Sequence, residues 1–201
     1  RRSKRDEYNR NILISDNVNN GRVKPGTDLI FTFSAPVNSI DTKQITLLQD
    51  SVPVKGFRWE RDSLSTRKYR FKYSWKREKT YDLTIADNAV KGTYGGSNKQ
   101  YKKTLVRDDE ENYGNLTLKF SPPDTTKSYI IELVMEDNVV NRKSINKSTD
   151  LNYIMYPVGK YHIRVVYDEN NNREWDTGSI KQGKQPEKTW NSPTEITLRA
   201  N

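Results

Sequence analysis

The chain has 201 residues with 35 Lys and Arg against 26 Asp and Glu, a net charge of +9, and only 32% of its residues are hydrophobic, below the share usual for one deep core. It has no cysteine, which excludes disulfides, a thiolate nucleophile and cysteine-ligated zinc or iron–sulfur sites, and no run of 18 apolar residues that would build a membrane-spanning helix. Its 12 Tyr, 4 Trp and 5 Phe separate it from disordered polyelectrolytes, so we expect a folded, all-β chain of two thin antiparallel β-sandwiches.

The opening stretch RRSKRDEYNR, residues 1–10, lacks the apolar segment of a secretion signal and reads as a linker or disordered N-terminal segment, which fits a chain cut from a longer precursor. Residues 11–106 then show strand periodicity. In DLIFTF (Asp28 to Phe33) and KYRFKYSW (Lys68 to Trp75) apolar or aromatic residues fall at every second position. Because side chains leave a strand on alternate faces, Tyr69, Phe71, Tyr73 and Trp75 are expected toward a core, with Lys68, Arg70, Lys72 and Ser74 toward solvent. Turn residues at KPGTD (Lys24 to Asp28), SAPVNSID (Ser34 to Asp41) and TYGGSNK (Thr93 to Lys99) leave no room for a useful helix, so about seven short strands are expected.

These residues resemble the bacterial Ig-like domains strung along surface and periplasmic proteins. The resemblance rests on FTFSAPVNSIDTKQITLLQD and RFKYSWKREKTYDLTIADNAVKGTYGG. Trp75, Tyr81, Leu83, Ile85, Ala89, Tyr94 and Gly95 fill the later part of that pattern, while Lys91-Gly92 departs from it. The match implies a fold through its core positions and says little about function.

Charge changes after this module. Residues 1–106 carry 22 Lys and Arg against 11 Asp and Glu, and residues 107–201 carry 13 against 15. The acidic run RDDEENYG (Arg107 to Gly114) reads as a linker, assigned to residues 107–113. Residues 114–201 continue with period two in NLTLKF, SYIIELVM, LNYIMY, KYHIRVVY and EITLRA, enough for a second, smaller sandwich of five or six strands. The pattern YPVGKYHIRVVYDENNNREWDTG followed by KQPEKTW…PTEITLRAN is similar to the transthyretin-like (collagen-binding B-type-like) module that follows an Ig-like domain in envelope lipoproteins of Gram-negative bacteria. That resemblance implies a cell-envelope protein, in the periplasm or at the outer-membrane surface, attached to membrane only through a lipid anchor outside this chain. It also implies no known enzymatic activity.

The loop Tyr167 to Gly178 is the candidate site. In the module it resembles this loop reads D-x-N-x-N-G-x-W-D; here Asp168, Asn170, Asn172, Trp175 and Asp176 match and Arg173 stands at the glycine. Alternate oxygen ligands on a coiling loop can converge on a hard cation, so Asp168, Asn170, Asn172, the Glu174 carbonyl and Asp176 form a candidate calcium loop. It is no EF-hand, since position twelve is Ser179 and flanking helices are absent from the pattern. Two features count against an ion: only Asp168 and Asp176 contribute charge, and Arg173 occupies the position where glycine most easily takes positive φ. The alternative is a metal-free loop in which Asp and Asn side chains cap their own backbone. An ion, if held, would bind at about 10⁻⁴ to 10⁻³ M. Under both readings Trp175 is expected to fold back as a staple.

Catalytic signatures are missing. His162, the only histidine, alternates with Arg164 on the solvent side of its strand. There is no Gly-x-Ser-x-Gly elbow, phosphate loop, dinucleotide fingerprint or His-Glu-x-x-His. The crowded cations Lys68, Arg70, Lys72, Lys76, Arg77 and Lys79 admit a polyanion-binding stripe, or they protect an exposed sheet from mispairing; nucleic acid is disfavoured without a recognised binding module. The expected role is a non-enzymatic spacer, scaffold or docking unit whose partner is an envelope protein or surface glycan. The rival is a glycan- or polyanion-binding sandwich.

Overall fold

The computed structural model of the chain describes residues 11–200; the expectation for residues 1–10 lies outside them. Among the described residues helical structure is limited to the 3-10 turns Thr42–Gln44, Glu110–Asn112 and Ile180–Gln182, and everything else regular is strand. No helix among them is long and apolar enough to cross a membrane. The chain forms two compact units that divide between Asp109 and Glu110.

In the first unit one sheet runs in the order β1 (Ile14–Asp16), β3 (Leu29–Phe33), β8 (Lys68–Lys72) and β7 (Arg58–Arg61). The other runs β2 (Arg22–Val23), β11 (Tyr101–Arg107), β9 (Thr80–Ile85), β5 (Ile45–Gln49) and β6 (Val52–Pro53). A ribbon of β4 (Val37–Ile40) and β10 (Val90–Gly92) sits beside them. With β1, β3, β7 and β8 as the first, second, fourth and fifth strands of the frame, and β5, β9 and β11 as the third, sixth and seventh, the two sheets have the immunoglobulin strand order. Only the β2–β11 pairing is parallel among these strands.

Alternation fixes the faces. Phe31, Phe33 and Phe71 are fully buried, and Tyr69, Tyr73 and Trp75 pack on the same core, while Lys68 and Arg70 are exposed. At the start of β9, Tyr81 is fully buried and its hydroxyl accepts the Lys76 backbone N–H at 2.8 Å. That placement matches the tyrosine corner of immunoglobulin sandwiches, where the second disulfide cysteine follows two residues later. Here that position is Leu83, 1% exposed, so apolar packing stands where other such domains use a cross-link. Tyr94, expected among the core positions, is instead 81% exposed. It lies in a tight turn closed by the Gly95 N–H to the Gly92 carbonyl, and a turn that short cannot direct its side chain back between the sheets.

The second unit is also an antiparallel sandwich. β12 (Tyr113–Phe120) pairs with β15 (Thr149–Pro157), and the larger sheet has β14 (Asn138–Ile145), β13 (Ser128–Met135), β16 (Gly159–Asp168) and β17 (Thr189–Asn191) in that order. β18 (Ile196–Leu198) pairs with the first residues of β16 and β17 with the later ones. The inner faces supply Tyr129, Ile131, Leu133, Leu151, Tyr153, Tyr161, Ile163 and Val165 to one core. β13 is buried on both faces, since Ile130, Glu132 and Val134 on its other side are also covered, so SYIIELVM departs from the period two expected of it, as a strand covered on both sides does. The run assigned to a linker begins as the end of β11 and finishes in β12, with the 3-10 turn between. Within it Asp108 is 6% exposed and paired with Arg22 at 2.9 Å.

Candidate functional site

The loop that follows β16 is built around its carboxylates. Asp168 is the last residue of β16, 2% exposed, and its Oδ1 and Oδ2 accept the backbone N–H groups of Asn172 and Arg173, each at 3.1 Å. Asn170 Oδ1 accepts the Asn172 N–H at 3.0 Å and Asn172 Oδ1 accepts the Glu174 N–H at 2.8 Å. Each Asp or Asn thus turns the chain by capping an N–H two to five residues on. Asn171 (φ 60) and Arg173 (φ 66) adopt the left-handed conformation. Position 173, where glycine was expected, therefore takes positive φ here with an arginine, and the caps from Asp168 offset the cost.

The free ends of these side chains meet at Asp176. Its Oδ2 accepts from the amide Nδ2 groups of Asn170 and Asn172, and Lys184 Nζ lies 3.6 Å away. Asn170 and Asn172 thus reach Asp176 through their amide nitrogens, while the Asp168 carboxylate is turned to the Asn172 and Arg173 N–H groups. The exposed Glu174 contributes its N–H to the same system. A cation at this place would have to exclude the Lys184 ammonium and turn the two amides so that oxygens face it. Among the described residues no three Asp, Glu or His side chains are grouped to hold a metal. The chemistry visible here is a closed set of donors and acceptors.

Its neck is made by a residue that sequence reasoning missed. Glu187 is 6% exposed; its Oε1 accepts the Glu169 N–H at 2.9 Å and its Oε2 the Asp176 N–H at 3.1 Å. Its own N–H donates to the Asp176 carbonyl, and its carbonyl accepts Trp175 Nε1 at 3.2 Å. Trp175 is thus the expected staple, and its ring also lies 6.0 Å from the Arg164 guanidinium. Gly178 (φ 79) completes the return, since a Cβ there would come within 2.6 Å of the Lys184 carbonyl.

No protein-family model matches the chain. No curated protein matches it either. Among solved structures it is similar to the crystal structure of native alpha-2-macroglobulin from Escherichia coli spanning domains MG0-NIE-MG1, at 13% identity and a TM-score of 0.38, over 94% of this chain and 71% of that one. A likeness at that level carries no conclusion about role, and the sheets themselves define the fold.

Two further charge clusters lie outside the loop. Glu132, fully buried, accepts from Arg142 and Arg164 on the strands at either side, at 2.6 Å and 2.5 Å. Sequence reasoning missed Glu132; a lone acid in the apolar run SYIIELVM is the signal that could have found it. In the first unit Asp16 accepts from Tyr101 and Lys103, each at 2.6 Å, tying β1 to β11 across the sandwich. Burial pushes the Asp16 carboxyl up, but the donors outweigh it and leave it below the usual aspartate range. His162 is half-buried on β16.

Proposed function

We propose that the chain is a non-catalytic scaffolding or docking module of a bacterial cell-envelope protein, an Ig-like sandwich followed by a transthyretin-like one. One observation carries the non-catalytic part. Every buried carboxylate among the described residues is committed to a structural donor: Asp108 to Arg22, Glu132 to two arginines, Asp168 and Glu187 to backbone N–H groups. Acid–base catalysis needs such groups poised toward a substrate, with their protons exchangeable. Here they hold strands and loops in place, which suits rigid presentation of a surface. Placement in the envelope is supported by the sequence resemblance of both halves.

Two measurements test this reading. Cell fractionation with an antibody to the chain should place it with the envelope, and the purified chain should show no turnover on glycoside, ester and phosphate substrates. Recovery in the cytoplasm, or turnover lost on substituting one carboxylate, would contradict it.

A further inference from the structure

We infer that the outer face of the sheet β1–β3–β8–β7 binds an anionic polysaccharide, with β8 as its axis. This rests on the docking reading and names the surface and the partner's chemistry. Lys68, Arg70 and Lys72 leave β8 on the solvent side, and register sets Arg58 of β7 opposite Lys72 and Glu60 opposite Arg70. On the other flank stand Thr32 and Ile30 of β3, opposite Lys68 and Arg70. The outward face of the second sheet is different: Arg22, Thr46, Leu48, Asp82, Thr84, Lys102 and Thr104 share it in register, with two cations, of which Arg22 is paired with Asp108, and one acid.

Protection against mispairing does not account for the cations on β8. That device belongs to edge strands, whose backbone groups lack partners, and β8 is paired on both sides, with β3 and with β7. Alternate residues on a strand lie about 6.8 Å apart, so the three cations form a row of about 14 Å. Lys72 pairs with Glu60 at 2.7 Å and Arg70 with Asp62 at 3.6 Å; the Lys72, Glu60 and Arg70 side chains are 38 to 51% exposed and that of Asp62 24%. Pairs of that kind contribute about 0 to 1 kcal/mol, so an incoming row of anions displaces them readily. Arg58 and Lys68 make no ion pair among the described residues.

The face selects the class of partner. Its aromatic neighbours Trp59, Tyr69 and Phe71 pack on the core, leaving no ring on which a base could stack, as single-stranded nucleic acid would require. Neighbouring strands twist by about 20 to 25°, which makes a saddle rather than a plane, so a linear chain follows β8 where a bilayer would touch only part of the face. Carboxylate, sulfate or phosphate groups on a sugar polymer fit such a row.

The test uses the full chain on immobilised heparin, with R58E/K68E and its neutral counterpart R58Q/K68Q. K43E/K102E, away from the face, makes the same change in net charge as the first. Melting curves check that each variant is folded. Both face variants should elute at clearly lower salt than the wild type, and R58Q/K68Q should reduce the salt dependence of log K by about two, one per cation. The control should elute clearly later than R58E/K68E. Equal losses in R58E/K68E and K43E/K102E would reduce the effect to net charge and overturn the inference. Tighter retention on single-stranded DNA or on phosphatidylglycerol vesicles than on heparin, through Arg58 and Lys68, would overturn the choice of partner. Either failure with the chain still in the envelope fraction leaves the docking reading standing, whereas recovery in the cytoplasm removes that reading whatever heparin shows.

Discussion

Arg164 and Glu132 are register partners across β16 and β13, and Arg164 Nε donates to the Glu132 carboxylate at 2.5 Å. Arg142 closes the other side from β14. The acid is fully buried, whereas the arginine side chains are 43% and 32% exposed, so the two kinds of deletion are unequal. E132Q leaves guanidinium groups that water can still reach and should cost about 1.5 to 3 kcal/mol, the range for charge-assisted hydrogen bonds. R142M/R164M strands a carboxylate in the interior and should cost about 3 to 5 kcal/mol. Urea midpoints of the variants measure the order; E132Q costing more than the double substitution would be inconsistent with this account.

The clasp of Asp16 with Tyr101 and Lys103 makes the first unit sensitive to acid. Its folded carboxyl titrates below the ordinary value of 3.8, so the folded state holds this proton more weakly than the unfolded chain does. The resulting stability is fully present well above pH 3.8, and it is lost as pH falls through 3.8 toward the lower folded value. D16N should therefore be less stable than wild type at pH 7, with the gap narrowing at pH 3. Urea unfolding at the two pH values, followed by tryptophan fluorescence, checks it.

Tyr81 offers a one-atom test of the corner. In Y81F the ring still fills its place, but the Lys76 N–H loses its acceptor in a half-buried setting. The expected cost is about 1 to 3 kcal/mol, read as an earlier urea transition of the first unit.

The loop after β16 is expected to melt at the same temperature, within about one degree, in EDTA and in millimolar calcium, because a ligand raises stability only by binding the folded state. Its polar groups are already matched by one another and by Lys184. A calcium-dependent rise would mean that the ion displaces Lys184. E187Q should speed hydrogen exchange at the Glu169 and Asp176 amides, which Glu187 holds, while amides of β13 stay protected.

Sequence patterns were informative where the cause is local. The alternation of Lys68 to Trp75 gave the inward and outward faces because period two is a property of any strand, whereas the Asp168-x-Asn-x-Asn spacing was read as oxygens converging on an ion and did not foretell that the Asn170 and Asn172 amide nitrogens turn to Asp176. What escaped depends on distant chain. Glu187 acts on backbone N–H groups 18 and 11 residues away, and a backbone donor leaves no trace in residue type. Asp16 meets Lys103 across 87 positions, a pairing set by topology alone. Tyr94 misled because an aromatic in a family pattern suggests a core, whereas turn geometry decides where it points.

The parallel pairing of Val106 and Arg107 with Arg22 and Val23 has a bearing on synthesis. Loop closure over some 84 positions must precede this contact, which favours slow, late completion. A nascent polypeptide halted before Tyr101 lacks the strand that joins the two ends of the first unit, and its β9 backbone stands open along one side. The ribosome therefore delivers the closing piece of this unit just as translation passes into the next.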